Sequence, residues 1–346
     1  MKGRVVVLGQ INGRRAAALI VDGELYDFLI EPADATAPLP GAIYRAVADR
    51  PLKGQGGMML RLPHGMAFLR QGKGIYPGQA LLAHVTGYAD EGKAVPVSPK
   101  LLFKSRYAIV TPDAPGLNIS RSIKDEDERE RLLAIAHSEM DETEGFGLIL
   151  RSAAAGMPEE EVANDIADMR DQASGVMDAA AGTQPELLLE GPDPHLLAWR
   201  DWEAPDQVVT SDNGFEELGV LELLEPFCQA FGALSGGASL YVEPTRALVA
   251  VDVNTGGDTS PAAGLKANIA AARALPQHLR IRGLGGQIVV DFAPMAKKDR
   301  RQLESSLRAA FRSDPIETSL VGWTPLGHYE LQRKRERQPQ LENLKL

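Results

Sequence analysis

The stretch "ALVAVDVNTGGD" (residues 247–258) opens as an apolar, β-branched run and ends in glycines. Such a run predicts a strand buried in a sheet. Asp252 interrupts the valines, and Asn254 follows two residues on, at the same face of an extended chain. A carboxylate left unpaired in apolar surroundings is strongly unfavourable. "GGQIVVDFAPM" (285–295) ends in the same manner, with Asp291 after Ile-Val-Val. Helical patterns follow each run, LKANIAAARALPQHLRIR (265–282) and KKDRRQLESSLRAAFRSD (297–314), and TSLVGWT (318–324) reads as a further strand. This alternation predicts an α/β layer with strands buried on both faces. In such layers function gathers at the carboxyl ends of strands. If the two strands are neighbours, Asp252 and Asp291 converge and need a cation between them. Oxygen donors without thiols predict Mg2+, with Mn2+ as substitute, rather than zinc. Asn254 would hold the attacking water or a phosphate oxygen. The alternative for each aspartate is a helix cap or an arginine partner.

The 346 residues allow two or three domains, and 44% apolar with 24% charged residues is ordinary for a globular protein. A single cysteine, Cys228, excludes a disulfide framework and a Cys-x-x-Cys metal site, and suits a reducing compartment such as the cytoplasm. The opening residues carry no signal-peptide pattern, and no run approaches the ~20 apolar residues of a membrane span. Net charge is −10, yet His278–Arg337 holds 12 Lys and Arg against 7 Asp and Glu. In the second helical pattern Leu303, Leu307, Ala310 and Phe311 make the apolar stripe, and Lys297, Arg301, Arg308 and Arg312 fall largely off it. GHYELQRKRERQPQ (327–340) adds Arg333, Lys334, Arg335 and Arg337. Both clusters could track a polyanion or simply solvate the surface. A metal with a basic rim points to a nucleic acid phosphodiester.

Upstream, RVVVLGQI (4–11) and AAALIVDGELYDFLIE (16–31) read as two strands joined at Asn12-Gly13. Short strands recur from about Leu39 to Ser98, in GAIYRAVAD, GGMMLRLPHGMAFLR, GQALLAHVTGY and GKAVPVSP, the spacing of a small all-β barrel. Residues 99–182 mix strands (KLLFKSRYAIVTP, FGLILRS) with an acidic-starting helix (DEDERERLLAIAHSEM) and a long amphipathic helix after Pro158. A short strand, ELLLE, and two helical patterns fill 183–237.

VAVDVNTG, LRIRGLGGQIVVDFAPM and GHYELQRKR, in that order, resemble the signatures of the ribonuclease E/G endoribonucleases. GAIYRAV and GMAFL resemble the family's RNA-binding barrel; RYAIVTP, LNISRSIKDEDERERL and GFGLILRSAA resemble its segment that senses an RNA 5′ end. The resemblance implies an α/β multidomain fold: an RNase H-like domain (1–37 and 183–235) interrupted by an OB-fold RNA-binding barrel (38–98) and a 5′-sensor region (99–182), then a DNase I-like α/β catalytic domain (236–346). It implies that Asp252 and Asp291 bind magnesium and that Asn254 helps place the water or scissile phosphate. It implies that Arg151 and Ser152 grip a 5′-monophosphate, that Arg121 contacts RNA, and that Phe68 and Lys93 clamp RNA beside the cut. A guanidinium with a hydroxyl suits a terminal phosphate, and an aromatic on a barrel strand suits an unpaired base. The alternatives are a salt bridge beneath a strand for Arg151 and barrel core for Phe68.

The sequence departs from the family in places. Met59 stands where a phenylalanine is usual, Ser105 where the sensor commonly has glycine, and Ala293-Pro294 where an apolar residue and another aspartate occur. The loop TGGDTSPAAG (255–264) is short. The zinc-binding Cys-x-x-Cys and a scaffold tail are lacking, so any oligomer is expected without a zinc link. The expectation is a Mg2+-dependent endoribonuclease cutting single-stranded RNA to 5′-phosphate and 3′-hydroxyl ends, in RNA processing or decay. No histidine pair stands ready to make the 2′-hydroxyl the nucleophile. The alternatives are a non-catalytic RNA-binding or regulatory paralogue and an enzyme acting on another phosphodiester such as DNA.

Overall fold

Two tight turns shape the beginning of the chain. Asn12-Gly13 and Asp22-Gly23 hold φ at 52° and 75°, and at 51° and 88°, the left-handed pairs that two-residue hairpin loops require. They divide the opening residues into β1 (Arg4–Ile11), β2 (Arg14–Val21) and β3 (Glu24–Ile30). Two strands were expected here and three form, because Asp22-Gly23 carries the same turn signal as Asn12-Gly13. The computed structural model describes residues 2–341 and 344, apart from 53, 55, 90, 91, 141–144 and 212. The chain divides into two units, Met1–Ala33 with Pro205–Leu346, and Asp34–Ala204.

The second unit opens with β4 (Ile43–Leu52), β5 (Gly57–Arg61), β6 (Met66–Leu69), β7 (Ala80–Val85) and β8 (Val95–Ser98). They pair in the order β4-β5-β6-β8-β7, and β7 returns to β4, which closes a five-stranded barrel of the kind expected of an OB-fold. Ala46, Leu60, Ala67, Leu69 and Val97 fill it. Next come β9 (Phe103–Lys104), β10 (Ala108–Thr111), β11 (Gly116–Ile119), α1 (Glu126–Met140), β12 (Gly147–Leu150) and α2 (Glu159–Asp178). The strands form a sheet ordered β11-β12-β10-β9, whose core takes Leu132 and Ile135 from α1 and Val162 and Ile166 from α2. Then β13 (Glu186–Leu189) pairs with β4, and α3 (Pro194–Asp201) begins where Asp193 accepts a 2.8 Å bond from the Leu196 amide. Residues 183–204 therefore lie in the same unit as the barrel.

In the first unit β14 (Gln207–Val209) runs parallel to β1, and the short helices α4 (Gly214–Glu217) and α5 (Val220–Leu224) follow. The remaining elements are β15 (Phe231–Ala233), β16 (Ser239–Pro244), β17 (Val249–Asn254), α6 (Ala263–Ile281), β18 (Gly286–Asp291), α7 (Arg300–Ser313), β19 (Thr318–Trp323) and β20 (Tyr329–Arg333). The strands form one sheet, β15-β16-β17-β18-β20-β19, in which β17 and β18 are the parallel pair. Ala267, Ala271 and Leu275 of α6 and Leu303, Leu307 and Phe311 of α7 join one core with Val249, Val251, Val253, Ile288 and Val290. Both helices thus cover the same face. The expectation of strands buried on both faces is incorrect: β17 and β18 alternate buried with exposed or half-buried residues, as strands open on one side do.

Candidate active site

The alternation decides where the acidic residues point. In β17 the valines at 249, 251 and 253 face the helices, so Asp252 and Asn254 face outward and are exposed. In β18 Ile288 and Val290 face inward, and Asp291 faces outward with its side chain 65% exposed. Asp252 and Asp291 are direct register partners across the parallel pair, on neighbouring strands about 4.8 Å apart. The premise of a carboxylate buried among valines is thereby corrected, and the two strands are neighbours with these residues in register. Asn254 donates from Nδ2 to Asp252 Oδ2 at 2.8 Å. Part of its amide is therefore engaged in aiming Asp252.

Both aspartates line an open depression of about 270 Å³ with Glu243, Ala250, Val289 and His328. His328 Nε2 lies 3.8 Å from Asp291 Oδ1. Among the described residues neither aspartate is paired with an arginine, and neither caps a helix. The donors fit a hard divalent cation: two side-by-side carboxylates with open solvent before them, the remaining positions left to water and phosphate. Among the described residues no group of three or more His, Cys, Asp or Glu side chains is arranged to hold a metal, so the candidate site consists of this pair.

The segment that carries Asp291 onward is clamped from below. Asn268, fully buried in α6, donates to the Ala293 carbonyl at 2.9 Å and accepts from the Ala293 amide at 2.9 Å. A Cβ at Gly264 would meet the Pro294 carbonyl oxygen at 2.0 Å, so only glycine lets α6 approach this close. Asn268 has a readable signal: it falls in phase with the small and apolar stripe of its helix.

The C-terminal basic cluster is held in ion pairs and hydrogen bonds within the unit. α7 packs through Leu303, Leu307 and Phe311 on the face opposite Asp252 and Asp291. Arg333 is buried and pairs with Asp314 at 2.9 Å, and Arg280 pairs with the same carboxylate. Arg337 grips Asp27 at 2.5 Å, Lys334 pairs with Glu317 at 2.5 Å, and Arg335 donates to the Gly285 carbonyl at 3.1 Å. These cations tie α6, β20 and the chain after it to β3 within the unit. Burial pulls the Arg333 guanidinium down and Asp314 opposes it.

The other expected site residues belong to the second unit. Phe68 lies between core residues Ala67 and Leu69, so its ring faces outward, half-buried, in register with Met59 and laid over Gly57. It is not barrel core. Lys93 precedes β8 and Arg121 follows β11, both exposed. Arg151 ends the β12 strand region and is firmly engaged. Its Nη1 donates to the carbonyls of Ser105, Arg106 (3.2 Å) and Arg200 (3.1 Å), and its Nη2 donates to Asp201 at 2.9 Å. Lys104 (2.7 Å) and Arg200 (2.7 Å) reach the same carboxylate. Burial would raise the Asp201 carboxyl, but Arg200 and Lys104 outweigh it and hold it at about 2. Three cations around one anion leave a net positive cluster, with Ser152 exposed beside it. Ser105 is buried and bonds inward to Asp165 and to the Ala108 carbonyl at 3.1 Å.

The sequence profile described as "Ribonuclease E/G family" matches residues 103–217 and 207–336. The chain is 30% identical over 304 residues to "Ribonuclease G" of Escherichia coli (strain K12), covering 75% of this chain and 60% of that protein. It is 29% identical over 306 residues to "Ribonuclease E" of Nostoc sp. (strain PCC 7120), covering 76% and 44%. It is 28% identical over 302 residues to "Ribonuclease G" of Salmonella typhimurium (strain SL1344), covering 75% and 60%. The chain thus spans about half the length of the curated relatives it matches.

Proposed function

The chain belongs to the ribonuclease E/G family, and from that premise we propose that it is an endoribonuclease hydrolysing single-stranded RNA, with one Mg2+, or Mn2+ in its place, between Asp252 and Asp291. The observation that carries the reading is the register pairing of these two residues on an open sheet face. When bound there, a divalent cation supplies positive charge to the phosphodiester and acidity to a water. Asp252 and Asp291 hold its place; Asn254 fixes the orientation of Asp252, and its remaining N–H and carbonyl are available to a water or phosphate oxygen. Among the described residues His328 is the one histidine that lines the depression, so no histidine pair stands there, and a water activated by the cation is the proposed nucleophile. The products therefore carry 5′-phosphate and 3′-hydroxyl ends.

RNA binding falls to the barrel and the sensor region. The outward ring of Phe68 offers a stacking surface, and Lys93 and Arg121 offer charge for the backbone. The positive cluster of Lys104, Arg151 and Arg200 with the Ser152 hydroxyl suits a terminal monophosphate. Arg151 would meet it with the N–H groups that Asp201 and the carbonyls leave over. The protein would act in RNA processing or decay in the cytoplasm. No described helix is long and apolar enough to cross a membrane.

The test is cleavage of a 5′-monophosphorylated, A/U-rich single-stranded oligonucleotide by the purified chain with Mg2+, with product ends mapped. Asp252→Asn and Asp291→Asn are each expected to lose about 10²-fold or more in rate while RNA binding persists. Binding without cleavage, 2′,3′-cyclic ends, or undiminished variants contradict the reading.

A further inference from the structure

The open face of the sheet in the first unit carries a row that the proposed chemistry does not use in full. Phe231 of β15 is the register partner of Tyr241 of β16, Tyr241 is the partner of Asp252, and Asp252 is the partner of Asp291. Residues paired in this way on adjacent strands project to the same side. Phe231 is 43% exposed and Tyr241 39% exposed. Their ring centroids are 5.4 Å apart with planes at 66°. Tyr241 therefore stands one strand from Asp252, and Phe231 one strand further.

The platform is rigid. β15 sits directly on α6: a Cβ at Gly232 would lie 2.6 Å from Cε1 of the buried His278 ring, and that ring lies 4.9 Å from Phe227. The position between Phe231 and Ala233 thus has no room for a side chain, and the strand is seated against the helix.

Charge narrows the occupant. Glu243, Asp252, Asp291 and Glu330 make this face acidic. Its own side chains offer no electrostatic attraction to a phosphate backbone. Exposed π-surface on a fixed strand does attract an unpaired base, whatever the base, and the row runs without a break into the pair proposed to hold the cation.

We propose that Tyr241 and Phe231 form a two-ring stacking subsite for the nucleotides that adjoin the scissile phosphate. The base next to the phosphate at Asp252 and Asp291 stacks on Tyr241, and the following base reaches Phe231. The subsite rests on the endoribonuclease reading. It selects by stacking area, so purines are favoured over pyrimidines at these two positions.

The test uses single-stranded oligoribonucleotides with one cleavage position and a single abasic nucleotide placed in turn at each position around it. With the wild-type chain, an abasic nucleotide adjoining the cut is expected to slow cleavage about tenfold, within the range that stacking on an aromatic provides. Tyr241→Ala is expected to cleave the intact substrate about tenfold more slowly and to lose its response to the abasic nucleotide. Tyr241→Phe retains both rate and response. Binding is read in parallel by fluorescence anisotropy in an Asp252→Asn background, where adding Tyr241→Ala weakens the intact oligonucleotide and leaves the abasic one unchanged. Circular dichroism establishes that each variant is folded. A flat abasic profile in a chain that cleaves overturns the subsite alone. No cleavage by the wild-type chain overturns the endoribonuclease reading, and the anisotropy comparison then decides the subsite separately. Should Phe231→Ala and Tyr241→Ala change sedimentation instead of RNA binding, the rings are a protein contact and the proposal fails.

Discussion

Asn268 and Ala293 exchange two hydrogen bonds of 2.9 Å, amide to carbonyl in both directions, across 25 residues of sequence. This couples α6 to Ala293, the second residue after Asp291. A buried asparagine so used mimics a strand partner for a segment that has just left the sheet. The lateral position of Asp291 relative to Asp252 is thus set partly from beneath.

Replacing Asn268 by Ala leaves the Ala293 N–H and C=O buried without partners. Urea denaturation should show a loss of about 2–4 kcal/mol. In the cleavage assay kcat should fall about 10- to 100-fold with little change in KM, because the substrate surface is intact and only the placement of Asp291 is loosened. An unchanged kcat would show that the clamp serves stability alone.

Asp314 neutralises two buried arginines at once, Arg280 and Arg333, and its own side chain is fully buried. Asp314→Ala leaves the buried Arg333 without its carboxylate and Arg280 with only the longer Asp27 contact at 3.5 Å, and a loss of about 3–5 kcal/mol is expected in equilibrium unfolding. A loss below about 1 kcal/mol, the worth of a surface pair, would contradict the view that this cluster is internal structure rather than an RNA-facing patch.

His278 supplies a pH dependence. Burial, followed by the nearby Arg282 charge, lowers its pKa from 6.5 to about 4. The folded chain keeps it neutral, and the unfolded chain binds the proton first as pH falls. Its contribution is fully present above about 6.5 and declines as pH falls towards about 4, by about 3 kcal/mol at most. Urea unfolding of wild type and His278→Gln at pH 7.5, 6 and 5 reads the difference: the gap in slope should open below about pH 6.5. Parallel pH dependences would remove His278 from this role.

The sequence showed the candidate site better than its surroundings. The period of two in VAVDVN already places Asp252 and Asn254 on one face, and the matching end of IVVD supplies the partner. It did not show that both crossover helices fall on one side, because an alternation of Val with Ala250 or Val289 resembles a continuous apolar run. The arginine cluster misled for a related reason. Charge counts carry no information about partners, yet Tyr329, Leu331 and Arg333 share one face of β20, and an arginine in phase with two apolar residues is a sign of burial. Phe231 and Tyr241 gave no local signal, since their relation to Asp252 exists only once three strands are in register. The Asp201 carboxylate at the centre of Lys104, Arg151 and Arg200 was equally invisible, lying 50 residues from Arg151.

The account stands on one divalent cation shared by Asp252 and Asp291, and Mn2+ binding followed by electron paramagnetic resonance tests it most directly. The expected result is a single saturable Mn2+ site in the wild-type chain, displaced by Mg2+ and weakened at least about tenfold in either Asp252→Asn or Asp291→Asn. No saturable site, or the same affinity in both variants, would contradict it.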